Sequence, residues 1–201
     1  MEAPNQLQNI LYIGSGYVGS LSAITMAVQN PGVDFRVFDI NRKLIDKWNS
    51  AHNDEDELPF FEPQLQEYYS RAKAQGNISF ICDGFSKALA EAQAIFICVN
   101  TPPAPVQRGV MGQPSDLSAF KSVLKSIGEA AGSDSFPMGH RIIVNKSTVP
   151  VGTSKMTEEI LSKYIDNLDQ KFSVVSMPEF LAEGQAIANL LSPDRIAIGT
   201  P

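Results

Sequence analysis

Short apolar runs alternate with longer segments of helical period along this chain of 201 residues. The first helical segment, residues 17–30, places its apolar side chains at spacings of three and four and ends at the turn signal Asn30-Pro31-Gly32. Alternation of this kind predicts parallel strands joined by crossover helices, and therefore a doubly wound, mostly parallel α/β sheet. The predicted strands are residues 10–13, 35–39, 78–82, 94–99, 141–144, 172–176 and 195–198.

The segments between these strands are predicted to be helices or loops. Trp48 lies at helical spacing from Leu44 and Ile45, which predicts a core position. Pro63 suits the first turn of a helix because its missing N–H is not needed there. The predicted helices are residues 17–30, 42–50, 62–74, 85–92, 116–131, 152–164 and 181–191. Predicted loops are residues 51–58, dense in acidic side chains, and residues 101–114, rich in Pro and Gly.

The composition excludes several classes of protein. Apolar residues make up 43% of the chain and charged residues 19%, values typical of one globular domain and not of a disordered or fibrous chain. The formal charge is −6 and no run of Lys and Arg interrupts it, so neither nucleic acid nor an anionic membrane is an expected partner. No apolar stretch approaches the ~18 residues of a membrane span.

The two cysteines, Cys82 and Cys98, each lie inside an apolar run. They form neither a disulfide framework nor metal-ligand spacing, so we expect no metal and interpret the chain as cytoplasmic. The polar start of the chain lacks the features of a signal peptide. Neither thiol is an expected nucleophile, because Cys98 has apolar neighbours and Asp83 disfavours a thiolate at Cys82. His52 and His140 are expected at the surface.

Gly14-Ser15-Gly16-Tyr17-Val18-Gly19 matches GxGxxG between a predicted strand and a predicted helix, the context that gives the motif its meaning. Gly14 allows a tight turn, Gly16 leaves room for a pyrophosphate, and Gly19 lets the helix approach the sheet. Asp39 ends the next strand, about 20 residues further on, where an acidic side chain reaches the adenosine ribose. The motif predicts a Rossmann-like dinucleotide-binding domain that prefers NAD to NADP, because a carboxylate repels a 2′-phosphate. The alternative is a glycine turn with a capping Asp.

Three further loops follow predicted strands at the edge where doubly wound sheets place ligands. Asn100-Thr101-Pro102 is expected to line the same crevice or to form a proline-stiffened turn. Ser147 and Thr148 are expected to bind substrate or an attacking water, or to cap the following helix. Glu179 and Glu183 are four residues apart and share one face if helical, either as site residues or as a solvated acidic N-terminus.

Taken together, these segments resemble the nucleotide-sugar 6-dehydrogenase family. The matching segments, in the family's order, are residues 14–19 (GSGYVG), 38–41 (FDIN), 61–63 (FEP), 99–103 (VNTPP), 145–151 (NKSTVPV), 178–184 (PEFLAEG) and 193–195 (PDR). The resemblance implies oxidation of the C6 alcohol of UDP-glucose to a carboxylate by two NAD through a cysteine-bound thiohemiacetal, which divides a difficult oxidation into easier steps. It also implies a homo-oligomer for full-length members.

The resemblance further implies roles for particular residues. Glu179 is similar to the family's acid/base residue, working with a water held by Thr148, and Glu183 to a residue that contacts cofactor or substrate. The implied NAD site comprises Gly14, Ser15, Gly16, Tyr17, Val18, Gly19, Asp39, Val99, Asn100, Thr101, Pro102, Pro103, Ser147, Thr148, Val149 and Glu183. The implied contacts with the nucleotide sugar are Glu179, Phe180, Leu181, Ala182 and Glu183.

The chain also departs from the family's pattern. The family's nucleophilic cysteine, and the lysine and asparagine that stabilise the oxyanion, are expected beyond Pro201. We therefore interpret residues 1–201 as an NAD-binding domain, without the central and C-terminal domains, that binds NAD without turnover. Leu44 stands where relatives often carry Arg, and Asn145 and Met177 where they commonly carry Glu and Asn. The rival interpretations are a dehydrogenase for GDP-mannose or a UDP-N-acetyl sugar, and a non-catalytic NAD-binding module.

Overall fold

The computed structural model describes residues 7–51, 57–104 and 115–200, so that His52 and most of the two predicted loops lie outside the described residues. Six strands form one sheet in the order β3-β2-β1-β4-β5-β6, and every neighbouring pair is parallel. The strands are β1 (Asn9–Ile13), β2 (Asp34–Phe38), β3 (Ile78–Ile81), β4 (Ala94–Ile97), β5 (Arg141–Asn145) and β6 (Phe172–Ser176). The predicted parallel α/β sheet is confirmed.

Helices cover both faces of the sheet, and alternate side chains of each strand fill the two resulting cores. On β1, Ile10 and Tyr12 face one core, whereas Leu11 and Ile13 face the other. The first core receives side chains from α1 (Tyr17–Gln29), α2 (Arg42–Ser50), α3 (Leu65–Gln75) and α8 (Ala186–Leu191). The second receives side chains from α4 (Phe85–Glu91), α5 (Ser118–Ala131) and α6 (Thr153–Leu161), with the short α7 (Leu168–Lys171) nearby.

The strand order creates a crevice at the carboxyl edge of the sheet. Ile13 lies level with Phe38 of β2 on one side and with Ile97 of β4 on the other. The chain leaves β1 toward β2 and returns from β3 to β4 on the opposite side of β1, so the loops that follow β1 and β4 diverge. In doubly wound folds, ligands bind at such a switch point.

The predicted helix at 181–191 begins only at Ala186, and the structure supplies the reason. Gly184 has φ of +82°, which interrupts a right-handed helix. The N–H groups of Gly184 and Ala186 are bound at 2.9 and 2.7 Å by the carboxylate of Glu62, which lies far away in sequence. Glu179 and Glu183 therefore precede the helix, and the prediction that they share a helical face is wrong.

Two further predictions need correction. The expected strand at 195–198 is wrong: in the described C-terminal residues, Gly199 forms an isolated antiparallel bridge with Ser176, while Ile196 and Ile198 stay exposed. The helix expected from residue 62 begins at Leu65, because Gln64 adopts a left-handed φ of +67°. Pro63 thus precedes the helix instead of occupying its first turn. Within the described ranges, no helix combines the length and apolarity needed to cross a bilayer.

Candidate functional site

The glycine loop between β1 and α1 is shaped by close approaches of the backbone. Gly14 has φ of +110°, and a Cβ atom there would lie 2.6 Å from the carbonyl oxygen of Cys98. A Cβ at Gly19 would lie 2.0 Å from the carbonyl oxygen of Gly14. A Cβ at Gly16 meets nothing within 4 Å, so this position faces open space. The predicted turn at Gly14 and the predicted close packing at Gly19 are confirmed.

Hydrogen bonds hold this loop against the end of β2. One carboxylate oxygen of Asp39 accepts from the backbone N–H of Ser15 at 2.7 Å and from its hydroxyl at 2.9 Å. The other oxygen accepts from the N–H of Asn41 at 2.9 Å. The carbonyl oxygen of Ser15 in turn accepts from the hydroxyl of Ser20 at 2.7 Å and from the indole N–H of Trp48 at 3.3 Å. Ser15 is fully buried, so the loop is fixed on both sides.

A largely apolar cavity of about 340 Å³ lies beside this loop. Gly14, Asp39 and Val99 line it from the ends of three strands, and α5 closes it with Val123. The structure therefore brings together the predicted residues that follow β1, β2 and β4. Asp39 supplies a carboxylate to a wall that is otherwise mostly apolar, with Ser122 and Ser126 as further polar residues.

The first cation after Asp39 in the sequence, Arg42, is already paired. The guanidinium of Arg42 donates to both carboxylate oxygens of Asp83, at 2.9 and 2.8 Å. Both side chains are well exposed, so the pair contributes little to stability. The pair does, however, direct the charge of Arg42 toward the end of β3. An anion that binds at the cavity must therefore compete with Asp83 for the guanidinium of Arg42.

The loops after β4 and β5 are joined by side-chain hydroxyls. The hydroxyl of Ser147 donates to the carbonyl oxygen of Val99 at 2.7 Å, and the hydroxyl of Thr101 donates to the carbonyl oxygen of Thr148 at 2.6 Å. Gly152 precedes α6 and gives it no side-chain cap, so the alternative that Ser147 or Thr148 caps this helix is wrong. Thr148 remains exposed at the edge of the crevice.

The segment after β6 is irregular and lines a second cavity of about 650 Å³. Glu179 accepts a hydrogen bond from the N–H of Leu181 at 2.6 Å, and the guanidinium of Arg195 lies 4.3 Å from the ring centroid of Phe180. Lys146, at the end of β5, lines the same cavity and is only 6% exposed. Burial lowers the pKa of Lys146, while the charges of Cys98 and Glu179 act in the opposite direction.

The sequence that forms these loops matches a known protein family. The family model for the NAD-binding domain of the UDP-glucose/GDP-mannose dehydrogenase family matches residues 8–201. The chain belongs to this family. NAD is therefore the cofactor of this domain, and the predicted Rossmann-like fold is confirmed.

Curated relatives of this NAD-binding domain are considerably longer than the chain. A UDP-glucose 6-dehydrogenase of Caenorhabditis elegans is 40% identical over 195 residues, which cover 96% of this chain and 38% of the relative. UDP-glucose 6-dehydrogenase 5 of Oryza sativa subsp. japonica is 38% identical over 190 residues, which cover 94% of this chain and 36% of the relative. The chain thus spans little more than a third of the length of these relatives.

Solved structures match the same portion. A UDP-glucose dehydrogenase from Pyrobaculum islandicum superposes with a TM-score of 0.79 at 31% identity, covering 98% of this chain and 42% of that one. A GDP-mannose dehydrogenase from Pseudomonas aeruginosa, solved as a ternary complex, gives a TM-score of 0.76 at 28% identity, covering 96% of this chain and 41% of that one.

Three residues of the NAD-binding domain have site contacts that sequence reasoning missed. Trp48 is fully buried, which confirms the predicted core position, but its spacing does not predict the hydrogen bond from its indole N–H to Ser15. Lys146 belongs to the family segment 145–151, and the sequence assigns no role to this residue, yet its side chain lines the second cavity. Glu62 belongs to the family segment 61–63, and the sequence does not indicate that its carboxylate accepts hydrogen bonds from Tyr17 and from the backbone of Gly184. In the sequence, Pro63 and Gly184 each indicate a turn. Only the structure shows that Glu62, next to Pro63, contacts Gly184.

The cysteines of the domain behave as predicted. Burial raises the pKa of Cys98 to about 12, and the thiol lies among apolar side chains of the first core. At Cys82, burial and the neighbouring carboxylate of Asp83 raise the pKa of the thiol, and both cysteines are free. Lys146 near Cys98 and Arg42 near Cys82 act to lower the pKa of these thiols, but the causes that raise it outweigh them, so neither thiol is held as a thiolate. His140 lies at the surface as predicted, with its ring near the hydroxyl of Ser173.

Proposed function

We propose that NAD lies across the crevice, with its pyrophosphate on the glycine loop and its adenosine in the 340 Å³ cavity. The open space at Gly16 supports this placement, since a close approach of phosphate needs the missing Cβ. Gly16 precedes α1 and provides no side chain that accepts hydrogen bonds from the first N–H groups of the helix. No capping side chain therefore competes with a phosphate for these N–H groups. The proposed NAD contacts include Gly14, Ser15, Gly16, Tyr17, Val18, Gly19, Asp39, Val99, Asn100, Thr101, Pro102, Pro103, Ser147, Thr148, Val149 and Glu183.

Asp39 is proposed to select NAD over NADP. Its carboxylate faces the cavity and is held by Ser15 and Asn41, so its position is set before a ligand arrives. A ribose hydroxyl donates to such a carboxylate, whereas a 2′-phosphate meets like charge in partly buried surroundings. The pairing of Arg42 with Asp83 adds to this preference, because it draws the adjacent cation away from a 2′-phosphate.

Calorimetric titration of the 201-residue polypeptide tests the cofactor site. We expect NAD to bind at least tenfold more tightly than NADP, and Asp39→Ala to weaken NAD binding by about tenfold. The matched control is Asp34→Ala, because Asp34 begins the same strand at the opposite edge of the sheet and pairs with Arg36. Equal affinity for the two dinucleotides, or an equal loss in the two variants, contradicts the placement.

We propose that the whole protein oxidises UDP-glucose to UDP-glucuronate in two steps, for which two NAD would each accept one hydride from the sugar carbon and water would supply the added oxygen. The relatives named UDP-glucose 6-dehydrogenase support this substrate. Glu179 is proposed to transfer protons with a water held by Thr148, and Glu179, Phe180, Leu181, Ala182 and Glu183 to contact the nucleotide sugar. The cavity of about 650 Å³ supports that role, because Glu179, Phe180 and Leu181 line it.

Stopped-flow recording of NADH formation tests the substrate. The protein that contains this chain is mixed with NAD and, in parallel, with UDP-glucose, GDP-mannose or a UDP-N-acetyl sugar, and the highest kcat/KM is expected for UDP-glucose. Greater efficiency with GDP-mannose would favour the second sugar-nucleotide class. The 201-residue polypeptide is expected to bind NAD without forming NADH, because the pKa of each of its two thiols is raised and neither is held as a nucleophilic thiolate.

Location and assembly belong to the same proposal. Two free cysteines support a reducing compartment, and we propose a cytoplasmic protein. The acidic balance of the sequence supports the absence of nucleic acid among its partners. A homo-oligomer is proposed for the whole protein, and sedimentation of that protein tests it.

A further inference from the structure

Three separate parts of the chain meet at Glu62. This residue lies just before α3 and is only 4% exposed. Its carboxylate accepts hydrogen bonds from the phenolic hydroxyl of Tyr17, from the N–H of Gly184 at 2.9 Å and from the N–H of Ala186 at 2.7 Å. One side chain thus bonds to the start of α1 and to the start of α8.

The carboxylate of Glu62 is charged at neutral pH. Burial disfavours the charged form and acts to raise the pKa, but hydrogen bonds from Tyr17 and from the backbone of Gly184, Ala186 and Ile187 outweigh it. The resulting pKa lies below the ordinary value of a glutamate. A buried charge depends on all of its donors, so loss of one donor weakens the whole arrangement.

The two ends of this arrangement belong to different parts of the proposed site. Tyr17 directly follows Gly16, the position that is open to the dinucleotide, and its ring packs against Phe60 with centroids 5.3 Å apart. Gly184 directly follows Glu183, in the segment proposed to contact the nucleotide sugar. No direct sequence signal connects these ends, because Gly184 lies 122 residues after Glu62.

We propose that Glu62 is a positioning residue that couples the dinucleotide loop to the segment bearing Glu179 and Glu183. Bound NAD further restrains Tyr17 in the hydrogen bond that it already makes, and the shared carboxylate carries this restraint to the N–H groups of Gly184 and Ala186. The acid/base segment is therefore held in place when the cofactor loop is occupied. This inference rests on the proposed position of NAD at the glycine loop.

Residue-resolved amide hydrogen exchange of the 201-residue polypeptide tests the coupling. Saturating NAD is expected to slow exchange at Gly184 and Ala186 by about threefold or more in the wild type. Tyr17→Phe removes only the hydroxyl, and we expect it to abolish this slowing. Tyr164→Phe is the matched control, because Tyr164 is partly exposed and lies against Gly128 on the opposite face of the sheet. Undiminished slowing in Tyr17→Phe overturns the proposal.

A double-mutant cycle on NAD affinity gives an independent measurement. We expect each single variant, Tyr17→Phe or Glu62→Gln, to raise the dissociation constant of NAD about three- to tenfold. The double variant should raise this constant by no more than the larger of the two single effects. Glu67→Gln on the exposed side of α3 is the control and should leave the constant unchanged. If the fold-changes in the dissociation constant multiply in the double variant, the two residues act independently and the coupling is overturned. Should Glu62→Gln fail to fold, the exchange measurement on Tyr17→Phe still decides.

The two experiments separate this inference from the cofactor site itself. A wild-type polypeptide that does not bind NAD refutes the proposed cofactor site. Normal NAD binding without any change in exchange at Gly184 and Ala186 refutes only the coupling through Glu62.

Discussion

The carboxylate of Asp39 lies 2.7 Å from the backbone nitrogen of Ser15 and 2.9 Å from its hydroxyl oxygen. The residue proposed to bind the ribose therefore also fixes the loop proposed to bind the pyrophosphate. Trp48 holds the same loop from the other side through the carbonyl oxygen of Ser15. A loop held in this way loses little conformational freedom when a dinucleotide binds, which favours affinity.

Alanine substitutions at two glycines of this loop should separate folding from binding. Gly19→Ala places a Cβ 2.0 Å from a backbone oxygen, and we expect a loss of about 2 kcal/mol or more in the free energy of unfolding. Gly16→Ala meets open space and should change that free energy by less than about 0.5 kcal/mol. It should nevertheless weaken NAD binding at least tenfold, because the methyl group occupies the phosphate's approach. Urea unfolding and calorimetry measure both; wild-type affinity in Gly16→Ala contradicts the placement.

Much of the fold could be predicted because its signals are local. The apolar runs of β1 to β6 and the glycines between β1 and α1 carry their meaning within a few residues, and the parallel order follows from the helices between them. The position of Trp48 in the core also follows from its helical spacing.

The start of α8 could not be predicted in the same way. The sequence predicts a helix over residues 181–191, but Glu62 binds the N–H groups of Gly184 and Ala186 from a distant part of the chain. At the C-terminal end, the apolar alternation of residues 195–198 resembles a strand, yet only Gly199 bridges to β6. In both cases a tertiary contact, or the lack of one among the described residues, decides the local structure.

Acid should selectively remove the stabilisation that Glu62 provides. Its folded pKa is lowered, so its contribution is present above the unfolded value of about 4.5 and is lost as the pH falls through the folded value. At pH 7, Glu62→Gln is expected to cost about 1 to 3 kcal/mol in the free energy of unfolding. Urea unfolding of both proteins from pH 7 to pH 3 should show this difference shrinking below about pH 4.5. If the difference in the free energy of unfolding between the two proteins stays constant from pH 7 to pH 3, the carboxylate of Glu62 is not charged in the folded protein.

Relief of backbone strain at Gln64 should stabilise the domain. Gln64 is exposed and adopts a φ of +67°, which a residue with a Cβ disfavours. Gln64→Gly is expected to raise the free energy of unfolding by about 0.5 to 1 kcal/mol, after the entropic cost of glycine is included. Ala74→Gly, at an exposed position inside α3, is the matched control and should lower it by about 1 kcal/mol. If both variants are destabilised alike in urea, the strain at Gln64 is not relieved by glycine.

The buried ammonium of Lys146 should make the stability of the domain rise with pH in the alkaline range. Burial lowers the folded pKa of Lys146, whereas the unfolded chain keeps its proton up to about pH 10.5, so between these values the unfolded state binds more protons. Lys146→Met removes the cost of burying the charge and should stabilise the domain by about 1 to 2 kcal/mol at pH 7. Urea unfolding at pH 7, 8, 9 and 10 should show this advantage over the wild type shrinking with pH. Lys125→Met, exposed on α5, is the control, and an advantage that persists unchanged at pH 10 contradicts the prediction.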